Sequence, residues 1–139
     1  MDRATGRNEI GVSGGADGPP SKQESKNMAY IYLTAAIITE VIGTLALKAS
    51  DGFSKFQPSA IVVAGYATAF FFLSRTLRTM PVGIAYAIWA GSGTALIVLV
   101  GAMLFKQSPD TDALIGIALI LAGIVVINLG SSEISAHSG

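Results

Sequence analysis

A single carboxylate interrupts an otherwise apolar stretch of the chain. Residues 34–48, TAAIITEVIGTLALK, read as a lipid-facing helix apart from Glu40 near the middle. A charged carboxylate at the centre of a membrane span costs about 2.5–3.5 kcal/mol on insertion scales, and such residues usually mark ion or substrate pathways. No lysine or arginine lies at a matching depth in the other apolar blocks. We therefore expect a proton or a cationic substrate as counter-ion, the alternative being a protonated acid that hydrogen-bonds a neighbouring helix.

Small residues accompany this carboxylate on the same face of the predicted helix. Ala36, Gly43 and Thr44 stand at i−4, i+3 and i+4 from Glu40, one turn to either side. Their small volume leaves room beside the carboxylate for a neighbouring helix or for a ligand, and the two interpretations are compatible.

Aromatic residues with polar tips form a second candidate group. Tyr86 and Trp89 are three residues apart and share one helix face. Aromatic faces attract quaternary and delocalised cations by about 0.5–2 kcal/mol each, so these rings are candidates to line a cation pocket. Tyr66 and Tyr30 are further candidates, although Tyr30 lies near a boundary where tyrosines commonly mark the membrane interface. The run Phe70-Phe71-Phe72 is typical of lipid-facing packing, with one ring available to line a pocket.

Two pairs of glycines are expected to control helix geometry. Gly91 and Gly93, within AGSGTA, lower helix stability and predict a bend or a close approach. Gly116 and Gly123 are seven residues apart, and with Ala122 they form a narrow strip suited to helix–helix contact. Incidental glycines in an apolar helix are the alternative for this second pair.

The elements that must position these residues are four apolar blocks with short polar joints. They cover about 30–49, 58–77, 83–105 and 113–129, each near the roughly 20 residues that cross a hydrocarbon core of about 30 Å. The chain is 51% hydrophobic and 13% charged. A soluble four-helix bundle would show a polar stripe on every helix, and these blocks have none. The pattern predicts an all-α integral membrane protein with four transmembrane helices, in a domain spanning residues 28–139.

Residues 1–27 differ in composition and are predicted to be a disordered N-terminal extension or leader. They are rich in glycine, serine, proline and mixed charges, too polar to bury a core, and lack the pattern of a signal peptide. The zero formal net charge gives no reason to expect a nucleic-acid partner. The chain has no cysteine and a single histidine, His137, so no metal site is expected.

Basic residues at the joints are nearly balanced between the two membrane sides. Arg75 and Arg78 fall on one side, and Lys48, Lys55 and Lys106 on the other, which is too even to fix an orientation. Insertion in both orientations is therefore expected. Four short helices cannot enclose a pathway around one carboxylate, so a homodimer with two copies of Glu40 around one cavity is predicted.

Three segments of the chain resemble the small multidrug resistance family. They are YIYLTAAIITEVIGTLALKASDGFSKFQPS, PVGIAYAIWAGSGT and GIALILAGIVVINL. The resemblance covers Met28 to the C-terminus in register. It implies a multi-pass protein of the bacterial inner membrane, an antiparallel homodimer among membrane lipids. The implied activity is exchange of protons for lipophilic aromatic or quaternary ammonium cations, driven by the proton gradient with no cofactor and no enzymatic step.

The same resemblance assigns roles to the residues singled out above. The family's membrane glutamate falls on Glu40. Its pocket aromatics fall on Trp89, Tyr30, Tyr66 and Tyr86. Its hinge glycines fall on Gly91 and Gly93, and its dimerisation glycines fall on Gly116 and Gly123. Phe71 stands where a member of the family has tryptophan.

Three alternative functions follow from the family and from outside it. Guanidinium exporters of the family carry a tryptophan at the position of Gly43, so glycine there favours the multidrug branch. Polyamine exporters form heterodimers, which the near-balanced charge does not favour. A non-transporting membrane subunit gains nothing from a buried, unpaired acid such as Glu40.

Overall fold

The protein is a set of four long helices. A computed structural model describes residues 18–137 of the 139-residue chain, and the side chains among them as far as Ser131. Helix α1 covers Lys22–Ala49, α2 Phe56–Thr76, α3 Val82–Phe105 and α4 Thr111–His137, with no strand within the described residues. All four are long and apolar enough to cross a membrane, α4 over Thr111–Ser131. The predicted all-α architecture with four spans is confirmed.

Helix α1 begins earlier than the composition of the N-terminal segment indicated. Ser21 caps it: its hydroxyl accepts from the backbone N–H of Glu24 at 3.2 Å, and the Glu24 carboxylate accepts from the backbone N–H of Ser21 at 2.7 Å. This reciprocal capping box satisfies two backbone donors and starts the helix. The predicted disorder is therefore wrong for residues 22–27, and residues 1–17 lie outside the described part of the chain.

Local residues explain the end of α1 and the starts of α3 and α4. After α1, Gly52 adopts the left-handed conformation with φ of 66°, and Asp51 and Phe53 beside it also have positive φ. Pro81 is the N-cap of α3. Before α4, the Asp110 carboxylate accepts from the backbone N–H of Ala113 at 2.9 Å.

Helices α1 and α2 form the closely packed part of the molecule. A Cβ added to Gly65 would lie 2.9 Å from the Cα of Gly43, so the two glycines let the helix backbones approach. Nearer one membrane end, the buried Thr76 hydroxyl donates to the carbonyl of Ala29 at 3.3 Å. The core cluster lies between these contacts and consists of Leu33, Ala36, Ile37, Val41 and Leu73.

Helix α3 packs against α1 on one side and α4 on the other, whereas α4 packs mainly against α3. At the α3–α4 contact, a Cβ on Gly91 would collide with the side chains of Ile120 and Ile124. No side chain of α4 is buried between residues 111 and 131. The apolar surface of α4 is therefore left for lipid or for another protein chain.

Candidate functional site

Glu40 lies on α1 where that helix meets α2 and α3. Its Oε1 accepts a hydrogen bond from the Thr44 hydroxyl, one turn along the helix, at 3.1 Å. The Thr44 hydroxyl is also 2.8 Å from the hydroxyl of Tyr66 on α2. With Thr44 donating to the carboxylate, Tyr66 donates to Thr44, so three polar groups form one chain from α2 to the carboxylate. These hydrogen bonds fix the orientation of Glu40 on its α2 side.

On its other side, the carboxylate lies against the backbone of α3. A Cβ added to Gly93 would lie 2.6 Å from Oε2 of Glu40. No ordinary side chain fits there without displacing the carboxylate. Gly93, expected from the sequence as a bend or close-approach residue, provides the close approach, and α3 is one continuous helix through it.

A pocket of about 210 Å³ opens beside Glu40. Tyr86 and Trp89 line it with Glu40, and their rings meet edge to face at 5.6 Å with an interplanar angle of 66°. The ring of Phe70 on α2 meets Trp89 in a similar arrangement at 5.8 Å and 62°. The structure therefore brings together a carboxylate and adjoining aromatic rings, the two features that recognise an organic cation. The remaining lining residues are Ala90, Thr94 and Ile97.

No protein cation neutralises this carboxylate within the described residues. Glu40 forms no ion pair there, and its polar contact is the one with Thr44. Lys48, two turns further along α1, instead has its Nζ 4.1 Å from the centre of the Phe105 ring. The indole N–H of Trp89 is buried and has no hydrogen-bond partner in the described part of the chain. The site is thus able to accept a cation from outside.

The other residues predicted for the pocket lie in different surroundings. Ala36 is fully buried in the α1–α2 core, and Gly43 packs against Tyr66. Tyr30 is 48% exposed and lines a separate pocket near the start of α3. Phe71 is 54% exposed, and its ring meets that of Phe72 and the guanidinium of Arg75.

The predicted glycine pairs lie on α3 and α4. Gly91 packs closely on Ile124 of α4, whereas Gly116 and Gly123 have no atom within 4 Å of an added Cβ. Gly123 borders a groove of about 390 Å³ between α3 and α4. This groove shares residues with the Glu40 pocket, namely Tyr86, Ala90 and Thr94.

Sequence reasoning missed Phe70, Thr94 and Gly65. Phe70 was grouped with Phe71 and Phe72 as lipid-facing packing with one ring available to a pocket, because a run of three phenylalanines does not indicate which ring meets Trp89. Thr94 was available from its spacing, since it follows Tyr86 by eight residues and lies two turns along the same face of α3. Gly65 could have been found by pairing α1 and α2 as antiparallel neighbours, which places it beside Gly43.

The fold and the site together define a class of protein: a multi-pass membrane protein of four helices with a carboxylate and aromatic pocket inside the bilayer. Among the described residues, no group of three histidine, cysteine, aspartate or glutamate side chains could hold a metal ion. Residues 28–120 match the family model described as Small Multidrug Resistance protein. The chain belongs to the small multidrug resistance family.

Named relatives agree with this assignment. The chain is 47% identical over 108 residues to the quaternary ammonium compound-resistance protein QacE of Escherichia coli, covering 78% of this chain and 97% of QacE. It is 48% identical over 101 residues to the multidrug resistance protein EbrA of Bacillus subtilis, covering 73% and 96%. A multidrug transporter of Pseudomonas aeruginosa is 50% identical over 108 residues, covering 78% and 97%.

Family and fold together determine the location and the general class of activity. The family comprises transport proteins rather than enzymes. Four membrane-spanning helices and these bacterial relatives place the chain as a multi-pass protein of the bacterial inner membrane. The resemblance read from the sequence is confirmed.

Proposed function

We propose that this chain is a proton-coupled antiporter that exports lipophilic aromatic and quaternary ammonium cations. Glu40 binds a proton or a cation, but not both at once. The observation that carries this proposal is the Glu40 carboxylate, which borders a pocket with Tyr86 and Trp89 and has no cationic side chain beside it among the described residues. The names of QacE and EbrA, which refer to quaternary ammonium compounds and to multidrug resistance, support the substrate class.

Competition at one carboxylate is sufficient to couple the two fluxes. A cation in the pocket is attracted by the charged carboxylate and by the faces of Trp89 and Tyr86. A proton on Glu40 removes the charge and with it the largest part of that attraction. A ligand shifts a conformational equilibrium only through different affinities for the two states, so a site that holds either ligand can drive both transport directions.

The moving parts are proposed to be α3 and α4 relative to α1 and α2. Gly93 lies against the carboxylate and Gly91 against α4, so displacement of this segment changes access to Glu40. We place the hinge at these two glycines, because a glycine-rich stretch is a low-cost position for a helix to bend.

The working unit is proposed to be an antiparallel homodimer. The pocket of about 210 Å³ in one chain is below the roughly 300–1,000 Å³ of ordinary small-molecule sites, and a second copy would complete it. Gly116 and Gly123 have open space before them, which suits close approach of another helix. Lys22 and Lys26 belong to α1, so among the described residues the membrane side of Arg75 and Arg78 has four basic residues and the other side has three. That small difference supports insertion in both orientations.

The surroundings of Gly43 favour multidrug transport over guanidinium export. A Cβ at this position would already lie 3.4 Å from both the ring and the backbone nitrogen of Tyr66. The tryptophan of the guanidinium branch would require α2 to move away. The small residue instead allows the Thr44–Tyr66 hydrogen bond that leads to Glu40.

The decisive experiment is proton-driven uptake into liposomes containing the full-length protein. We expect a pH gradient to drive the accumulation of ethidium and of a quaternary ammonium compound inside the liposomes, and guanidinium to accumulate far less. Glu40→Gln should abolish accumulation, because the amide has neither the charge nor the titrating proton. Binding of the cation should release protons and weaken at acid pH.

Glu24→Gln is the matched control, because it removes a carboxylate from the exposed start of the same helix. It should transport like the original protein. Gradient-driven export by Glu40→Gln would show that the proposed coupling is wrong.

A further inference from the structure

A second pocket, remote from Glu40, lies where the start of α1 meets the end of α2. Its volume is about 330 Å³. Two arginines of the α2 end, Arg75 and Arg78, line one side, and α1 with the residues before it lines the other. We call it the arginine pocket. Its other lining residues are Pro20, Ser25, Met28, Ala29, Tyr32 and Thr79.

The two guanidinium groups have no anionic partner within the described residues. Both side chains are exposed, and neither forms a hydrogen bond or an ion pair there. Arg75 has one contact, with the ring of Phe71, whose centre is 5.5 Å from the guanidinium carbon. Their planar N–H forks are therefore available, and this geometry matches phosphate oxygens in pairs.

The charge around the arginine pocket differs from that at the opposite membrane end. Among the described side chains, this end carries four cations, Lys22 and Lys26 in addition to the arginines, and one carboxylate. That carboxylate, Glu24, is held by Ser21 in the capping box. The opposite end has three cations balanced by three carboxylates, at Asp51, Asp110 and Asp112. The described side chains thus favour an anion at the arginine end rather than at the opposite end.

The floor of the arginine pocket is apolar. Tyr32 stacks on Phe72 with ring centres 6.0 Å apart, and Met28 beside it is 44% exposed. Phe71, under the Arg75 guanidinium, is also exposed towards the surroundings of the helices. A soluble anion would leave this apolar surface uncovered, whereas a lipid would cover it with an acyl chain.

The depth of the pocket corresponds to the lipid phosphates. Ala29 precedes Glu40 by eleven residues, which at about 1.5 Å per residue places it about 16 Å along the helix axis. Half of a hydrocarbon core of about 30 Å is about 15 Å. With Glu40 near the middle of the bilayer, the arginine pocket lies at the boundary between acyl chains and headgroups.

We propose that the arginine pocket binds an anionic phospholipid. Arg75 and Arg78 hold the phosphate, the hydroxyls of Ser25 and Thr79 lie within the same pocket, and an acyl chain runs over Met28 and Tyr32. The lipid joins the start of α1 to the end of α2 at the surface of the membrane. This inference depends on the membrane location of the chain and is independent of the transport mechanism proposed above.

The test measures lipid binding to the purified full-length protein in a neutral detergent. Dioctanoyl phosphatidylglycerol is titrated, and its bound fraction is measured by native mass spectrometry. Dioctanoyl phosphatidylcholine carries the same phosphate without net charge and should bind about tenfold more weakly. Sodium phosphate and glycerol 3-phosphate, at the same concentrations, should not displace the lipid.

Arg75→Gln with Arg78→Gln should weaken phosphatidylglycerol binding by about tenfold or more, because both charge-assisted contacts are lost. Lys55→Gln with Lys106→Gln removes the same charge from the opposite end and should bind like the original protein. The helical circular dichroism spectrum verifies that each variant is folded. If the double arginine variant does not fold, Arg78→Gln alone should still show a loss of about threefold.

Three results would overturn the proposal. The first is unchanged phosphatidylglycerol affinity in the folded arginine variant. The second is an equal loss in the Lys55 and Lys106 variant, which would mean that only overall charge matters. The third is displacement of the lipid by inorganic phosphate, which would make the pocket a site for soluble anions.

Discussion

The two halves of this chain differ in how they use their apolar residues. Helices α1 and α2 bury theirs against each other, around Leu33, Ile37 and Leu73, and are joined by the hydrogen bond from Thr76 to Ala29. Helix α4 buries none of its described side chains and rests mainly on α3. The helices of both halves are long and apolar enough to cross a membrane. The first half therefore contains the core of the described chain, whereas α4 exposes its apolar surface to lipid or a partner.

Glu40 lies at the border between these halves. Its hydrogen-bond chain through Thr44 reaches Tyr66 on α2, in the packed half. Its other oxygen lies against Gly93 on α3, in the open half. A carboxylate in this position is held on one side and can gain or lose its neighbour on the other. Substitutions in the two halves should consequently have different effects, on stability in one and on assembly and binding in the other.

The largest effect on stability is expected from Gly65→Ala, which lies at the contact between α1 and α2. The added Cβ would lie 2.9 Å from Cα and 3.1 Å from N of Gly43, and 3.0 Å from the carbonyl oxygen of Thr39. All three are backbone atoms and cannot rotate away, so the helices must separate at a cost of about 2–3 kcal/mol. Thermal unfolding in detergent, followed by circular dichroism, measures the change.

Gly101→Ala is the matched control, because nothing lies within 4 Å of its added Cβ. Alanine is favoured over glycine in a helix interior by about 1 kcal/mol, so this variant should be as stable as the original or slightly more so. Equal thermal stability of the two variants would contradict the close packing of α1 on α2.

Leucine at Gly116 or Gly123 should change assembly and transport rather than the stability of the folded chain. Among the described residues, nothing lies within 4 Å of a Cβ added at either position, so we expect the folded chain to accommodate the larger side chain. A second copy approaching this strip would be blocked, because such contacts depend on small residues. We expect loss of the dimer in cross-linking and of transport, with the unfolding temperature of the monomer unchanged. Retention of an active dimer in both variants would place the interface elsewhere.

The sequence was sufficient to predict the four spans, because twenty-residue apolar runs with prolines and glycines between them have few other solutions. It was less successful where composition and local chemistry disagree. Residues 22–27 were assigned to a disordered segment on the basis of their polar composition, yet Ser21 and Glu24 form a capping box that begins the helix. The spacing of these two residues was visible in the sequence, and it was the more informative feature.

For the site, the position of each residue along its helix was predictable from the sequence, whereas the direction in which its side chain points was not. Tyr86 and Trp89 were expected on one helix face from their spacing, the family resemblance joined them to Glu40, and the structure places all three around one pocket. Tyr30 and Phe71 were expected there as well, but they line other parts of the surface. Which face of an all-apolar helix turns inward depends on its neighbours, because such a helix has no polar stripe to indicate it. The roles of these residues in binding stay predictions.

Trp89→Ala should weaken the binding of an aromatic cation by about 1–2 kcal/mol, the scale of a partly desolvated cation–π contact. Trp89→Phe retains a ring between Tyr86 and Phe70 and should lose less. Phe71→Ala is the control, because Phe71 contacts Phe72 and Arg75 rather than the Glu40 pocket. Isothermal titration with ethidium measures all four proteins. Equal affinities throughout would place Trp89 outside the cation site.

The smallest effect concerns the hydrogen bonds that tie the carboxylate to the packed half. Thr44→Val has nearly the same shape but removes both the bond to Glu40 and the bond to Tyr66. Cation affinity at a fixed pH should fall by about 0.5–1.5 kcal/mol, the usual net contribution of such bonds. Tyr66→Phe keeps the Thr44–Glu40 bond and should lose less. Because Thr44 connects the other two groups, the Tyr66 change should have no further effect once Thr44 is valine. Additive losses in the double variant would instead mean that Tyr66 acts on the cation by a separate route.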